Sequence, residues 1–182
     1  MKKKVKKSMV MNKNQLNVIV NDEKWNDYIS DVEELSEDIF KTTVSYLIAN
    51  GLTFGGWGGR SVSVNLALSN DEEVRQLNCE FRGKDTPTNV LSFARIDDVC
   101  FENDIEHTEI IELGDIIVSL ETLKMEAKEQ NILLKSHFMH LLVHGILHLY
   151  GYDHVDETDA KKMEDIEVKI LKEMNVDNPY EE

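Results

Sequence analysis

The 182-residue chain has little of what marks several protein classes. It holds two cysteines, Cys79 and Cys100, too few for a disulfide framework. The start, MKKKVKK, has the charge of a secretory signal but no apolar core behind it, so both thiols are expected free in a reducing cytoplasm. There are only two prolines, Pro87 and Pro179, no internal repeat and no low-complexity linker, so a second domain is not expected. No apolar run approaches the roughly 18 residues of a membrane span. The longest, Phe138 to Tyr152, is broken by three histidines. Basic residues are also scarce: Lys plus Arg total 20 against 35 Asp plus Glu, a net charge of −15. That argues against a protein that holds nucleic acid by diffuse charge, because phosphates attract Lys and Arg. What remains is ordinary: 41% hydrophobic and 30% charged residues, on a length that buries one good core.

The charge is unevenly placed. Residues 1–13 carry six lysines and no acid, net +6. Three acidic blocks follow: 21–38 at −7, 97–115 at −8 and 156–182 at −6. Everything else sums to zero. Each block reads as a solvated face or loop, and residues 1–14 as a disordered basic leader to a single domain over 15–182.

The spacing of apolar residues predicts a mixed α+β fold, a small sheet covered by helices. Strands are expected at 17–20, 61–69, 89–93 and 116–119. The alternation of Val62, Val64, Leu66 and Leu68 makes the second a half-buried strand. Helices are expected over about 32–50, after an Asn70 cap with Glu73 as its capping-box partner, after a Ser119 cap, from Ser136 to Tyr150, and from Glu157 to Met174 behind an Asp156 cap. The Gly55–Gly59 segment lacks the Lys-Ser/Thr of a phosphate-binding loop and reads as a turn; 96–110 reads as an acidic loop.

The strongest signal is His144-Gly-Ile-Leu-His148-Leu-Tyr-Gly151-Tyr-Asp-His154. Histidines four apart share one helical face, with Cβ atoms about 6 Å apart. Gly151 can take the left-handed conformation that ends a helix and turns the chain back, which brings His154 toward the same point. Three neutral imidazoles leave a fourth tetrahedral position open, the pattern of a catalytic rather than a structural zinc. One ion per chain is expected; imidazoles also suit nickel, cobalt or iron. The same spacing occurs in metzincin proteases, but Gly145 stands where those enzymes carry a general-base glutamate, so peptidase chemistry is disfavoured. His137 and His140 continue the face upstream, as packed, second-sphere or substrate-facing groups.

A second cluster, Phe81 to Phe93 (FRGKDTPTNVLSF), places Arg82 and Lys84 in a loop before a strand. The Arg82 fork suits a phosphate, though alone it suits a surface carboxylate equally well. Together with Leu113-Gly114-Asp115-Ile116, His140 to His154 and the closing Asn178-Pro179-Tyr180, the chain resembles the bacterial YbeY family of metal-dependent endoribonucleases over about residues 15–180. Ala94 departs from the pattern, which often has proline there.

The resemblance implies a single α/β domain with the metal at the mouth of a groove. It implies His144, His148 and His154 as zinc ligands, and Arg82 as the cavity residue on the substrate phosphate. Arg82 and His144 are the catalytic candidates, and Arg82 and Lys84 the substrate-binding ones. His140 or Asp153 could serve the leaving group. The implied role is single-strand-specific cleavage in maturation of the 3′ end of small-subunit ribosomal RNA and late ribosome quality control. Implied partners are the small ribosomal subunit, a basic ribosomal protein and the GTPase Era, with no DNA or membrane. Two rival readings stay open: a metal-dependent hydrolase of another substrate class, and a non-catalytic assembly factor steadied by its metal. The acidity itself leads us to expect weak affinity of the lone protein for arbitrary RNA.

Overall fold

The structure is a computed structural model that describes residues 13–53, 60–102, 106 and 108–181. The basic leader, apart from residues 13 and 14, the Gly55–Gly59 turn and part of the 96–110 loop lie outside the described residues. The described elements follow the order strand, helices, strand, helix, two strands, three helices. They are β1 (Gln15–Val20), α1 (Trp25–Tyr28), α2 (Val32–Ala49), β2 (Ser61–Ser69), α3 (Asp71–Arg82), β3 (Val90–Ala94), β4 (Ile110–Ser119), α4 (Leu120–Glu129), α5 (Leu134–Leu149) and α6 (Glu157–Glu173). A single 3-10 turn, Arg95–Asp97, leaves β3. The fold is the expected mixed α/β domain. No single helix among the described residues is long and apolar enough to cross a membrane.

The sheet runs β1-β2-β4-β3. β1 and β4 flank β2 in parallel, and β3 pairs antiparallel with β4 as an edge. Val62, Val64, Leu66 and Leu68 face the main core with residues of α2, α5 and α6. Helix α5 is apolar on most sides: Phe138, Leu142, Val143, Ile146, Leu147 and Leu149 are all fully buried. Each such side chain contributes about 1.5–3 kcal/mol relative to exposure, so α5 is the centre of the domain and holds its polar residues in place. On the other face α3 covers only part of the sheet, where Val74 packs with Leu91 and Ile117. The uncovered part carries a polar row in which Asn17 Nδ2 donates to Asn65 Oδ1 (2.9 Å) and Asn65 Nδ2 to Asp115 Oδ1 (2.8 Å).

Strand β4 begins six residues before the expected Ile116. The register shifts between Ser63 and Val64, which pair with Glu112 and Gly114, so Leu113 is the extra residue of a bulge. The bulge breaks the alternation that would have revealed the strand. Gly114 sits there at φ 135°, and a Cβ on it would lie 2.0 Å from the Phe93 carbonyl oxygen. No other residue type lets β3 approach so closely.

Helix caps differ from expectation in detail. Asn70 accepts from Glu73 N as expected, but the Glu73 carboxylate turns away to Asn21 and Ser69 instead of closing the box. Ser119 precedes α4 without capping it. Asp71 of α3 does so instead, accepting from Thr122 N (3.2 Å), while Glu121 of α4 accepts from Asp71 N (3.0 Å). The two helix starts therefore satisfy each other. Helix α5 begins at Leu134, two residues ahead of Ser136. Asp156 caps α6 through Thr158 N and Asp159 N.

Candidate metal centre

His144 and His148 lie one turn apart on the last two turns of α5. Gly151 follows at φ 83°, with its N–H on His148 O (2.8 Å) and that of Tyr152 on Leu147 O (3.1 Å). This closes the helix and reverses the chain. The Tyr152 hydroxyl then donates to Leu52 O (2.8 Å), which fixes the turn against the chain after α2. His154 lies three residues beyond the turn, with its ring centroid 5.4 Å from that of His144 and 5.1 Å from that of His148.

One nitrogen from each of His144, His148 and His154 falls within 4.8 Å of the others. The Nε2 atoms of His144 and His148 are 3.0 Å apart. Two nitrogens held tetrahedrally at 2.0–2.1 Å from one zinc stand about 3.3 Å apart, so the donor set fits such an ion with small adjustment. Burial, with the neighbouring imidazoles His144 and His154, pushes the His148 pKa down to about 4. His148 is thus neutral at pH 7, the state a ligand needs.

Beneath His144 lies a residue that sequence reasoning placed on a solvated face. Glu167 of α6 is fully buried. It accepts from His144 Nδ1 (2.8 Å), from His140 Nε2 (3.0 Å) and from the Tyr180 hydroxyl. Burial pushes its carboxyl up, but the hydrogen bonds from His140, His144 and Tyr180 outweigh this and hold its pKa at about 2. The carboxylate therefore keeps the proton of His144 on Nδ1 and leaves Nε2 free toward the other imidazoles. A signal for it was present: Glu167 lies on the buried stripe of Met163, Ile166, Ile170 and Leu171, where an acid without a partner would be costly.

The imidazoles open onto a groove of about 470 Å³, walled on the far side by β3 and the end of α3. Arg82, Asn89, Ser92, Asp97 and Asp153 line it with the three histidines. Arg82 is exposed and donates from Nη2 to Ser92 O (3.3 Å). The Asn89 amide donates to Glu126, which also holds His137 Nε2 (2.8 Å). His137 is thereby a packed residue behind the groove wall. His140 faces Glu167 and Tyr180 and is not among the groove residues, and Lys84 also lies outside the lining. Gly145 packs against β3 and β4: a Cβ there would meet Ile116 Cδ1 and Cγ2 and Ser92 Oγ, each at 3.2 Å. Any side chain at this position would have to displace Ile116 and Ser92 by a few tenths of an ångström.

A family model described as Endoribonuclease YbeY matches residues 24–175. The Endoribonuclease YbeY of Paramagnetospirillum magneticum is 45% identical over 121 residues, 66% of this chain and 73% of that protein. That of Colwellia psychrerythraea is 46% identical over 117 residues, 64% of this chain and 71% of its own. A solution structure of a Thermotoga maritima protein superposes with a TM-score of 0.54 at 22% identity, covering 92% of this chain and all of the other, a likeness of fold.

Proposed function

The chain belongs to the YbeY endoribonuclease family, and on that premise we propose that it is a zinc-dependent endoribonuclease. Its substrate is single-stranded RNA, and its role is maturation of the 3′ end of small-subunit ribosomal RNA and late ribosome quality control in the cytoplasm. The observation that carries this reading is the placement of three converging imidazoles and one arginine in the same groove.

His144, His148 and His154 would hold the ion, one per chain. When bound, it supplies Lewis acidity and an activated water. The remaining work falls to the chain. Arg82 has N–H groups to spare beyond its single bond to Ser92 O, and these compensate charge developing on the phosphoryl oxygens. Glu167 keeps His144 in one tautomer. Asp153 accepts from His154 N (2.7 Å) and so orients the segment that carries the third imidazole. Asp153 and Asp97 are the carboxylates in the groove, and with no glutamate at position 145 they are the groups placed to exchange protons with substrate.

Arg82 is the one cation among the lining residues, and the acids of the three blocks lie mainly on the surface. The groove can grip a phosphate but the surface repels a long RNA, which favours delivery by a basic small-subunit ribosomal protein; the GTPase Era is a further partner that only the family resemblance implies.

The test uses folded Arg82→Ala and His144→Ala proteins on an unstructured oligoribonucleotide. Losing one preorganised donor to a developing charge is worth about 3–4 kcal/mol, or on the order of a hundredfold or more in rate. Cleavage at the wild-type rate by either variant contradicts the assignment.

A further inference from the structure

We propose that Phe81, on the rim of the groove beside Arg82, is a stacking platform for an unpaired base and favours single-stranded RNA there. The inference rests on the RNA reading of the groove. Phe81 is the penultimate residue of α3 and is 60% exposed, although it is one of only six phenylalanines in the chain. Its ring is not loose. It meets Phe93 of β3 edge-on, with centroids 5.1 Å apart and planes at 66°. Phe93 is itself packed against the cluster of Val74, Leu91 and Ile117. The inner contact of Phe81 is thereby fixed while most of its surface stays open to water.

The neighbours decide what should cover it. Arg82, the next residue, donates to Ser92 O of β3 and lines the groove. Lys84 stands just beyond the left-handed Gly83 that ends α3. The nearby Asp85 is already engaged by Arg75. An exposed aromatic flanked by two cations that make no ion pair among the described residues suits a nucleotide, with phosphate on the cation and base on the ring; an apolar protein partner would leave those charges stranded. Phe81 itself does not line the groove, and consecutive helical side chains diverge, so the base is reached by a strand whose phosphate meets Arg82 and whose chain continues out of the groove over the end of α3. A base inside a duplex has both faces covered by its neighbours and cannot make this contact.

Base–aromatic stacking is worth about 1–3 kcal/mol per base, so its loss costs about fivefold to a hundredfold in affinity. The test compares Phe81→Ala, Phe81→Leu and Phe81→Trp with wild type, on an end-labelled unstructured oligoribonucleotide and on the same sequence annealed to its complement. Melting curves confirm that each variant folds. Alanine and leucine should raise KM for the single strand within that range, with a smaller effect on kcat. Tryptophan should restore a low KM, and its fluorescence should be quenched on adding the oligonucleotide. Wild-type KM in the alanine variant, or equal rescue by leucine and tryptophan, overturns the proposal. No cleavage by wild type on any RNA overturns the endoribonuclease reading itself, and this inference with it.

Discussion

Replacing Glu167 by glutamine changes one buried oxygen into an amide and leaves the volume almost unaltered. The wild-type carboxylate is 1% exposed and accepts from His144 Nδ1, His140 Nε2 and the Tyr180 hydroxyl. Glutamine offers one oxygen and one amino group to these three donors. If the oxygen stays on His144, the tautomer survives but the acceptor is neutral, and such a bond has about half the strength of a charge-assisted one. If the amino group faces His144, the ring proton must move to Nε2, where it obstructs the ion. Both arrangements weaken metal binding. Loss of such an outer partner costs about 10- to 100-fold in metal affinity, equivalent to about 1.4–2.7 kcal/mol. Zinc affinity measured by competition with a chromophoric chelator tests this, and a melting curve of the metal-free variant separates site loss from fold loss. An affinity within twofold of wild type refutes the role given to Glu167.

Two further outcomes follow from the geometry. Gly114→Ala puts a methyl group onto the Phe93 carbonyl at a φ of 135°, so it should cost about 3 kcal/mol or more and unfold at lower denaturant, while an alanine at exposed Gly51 should cost less. The Glu167 pKa lies near 2 in the fold against an ordinary 4.5, so the unfolded chain binds more protons in between. Its stabilisation is complete above about pH 4.5 and is lost as pH falls toward 2, on the order of 3 kcal/mol. Urea titrations of metal-free wild type and Glu167→Gln should diverge above pH 4.5 and converge at lower pH; parallel curves contradict this.

Much of the fold was legible because its signals are local. Alternation over 61–69 marked β2 to the residue, and Asp156 marked the start of α6. The histidines were legible because one helix turn and one glycine set their spacing without help from the rest of the chain. The misses come from long-range contacts. The first half of β4 was hidden by a bulge that only pairing with β2 defines. Asp71 caps a helix about fifty residues away, which no local pattern announces. Glu167 was read with its acidic block, whereas its burial depends on α5 placing His140 and His144 above it.

The central claim is that the three imidazoles hold the ion on which RNA cleavage depends. The most direct measurement is metal content and cleavage on the same preparations, made without a histidine tag, for wild type and His148→Ala before and after chelation. The account predicts one ion per wild-type chain, loss of both ion and cleavage in the variant and after chelation, and recovery of wild-type cleavage alone on adding zinc. Cleavage that persists in the metal-free protein would contradict it.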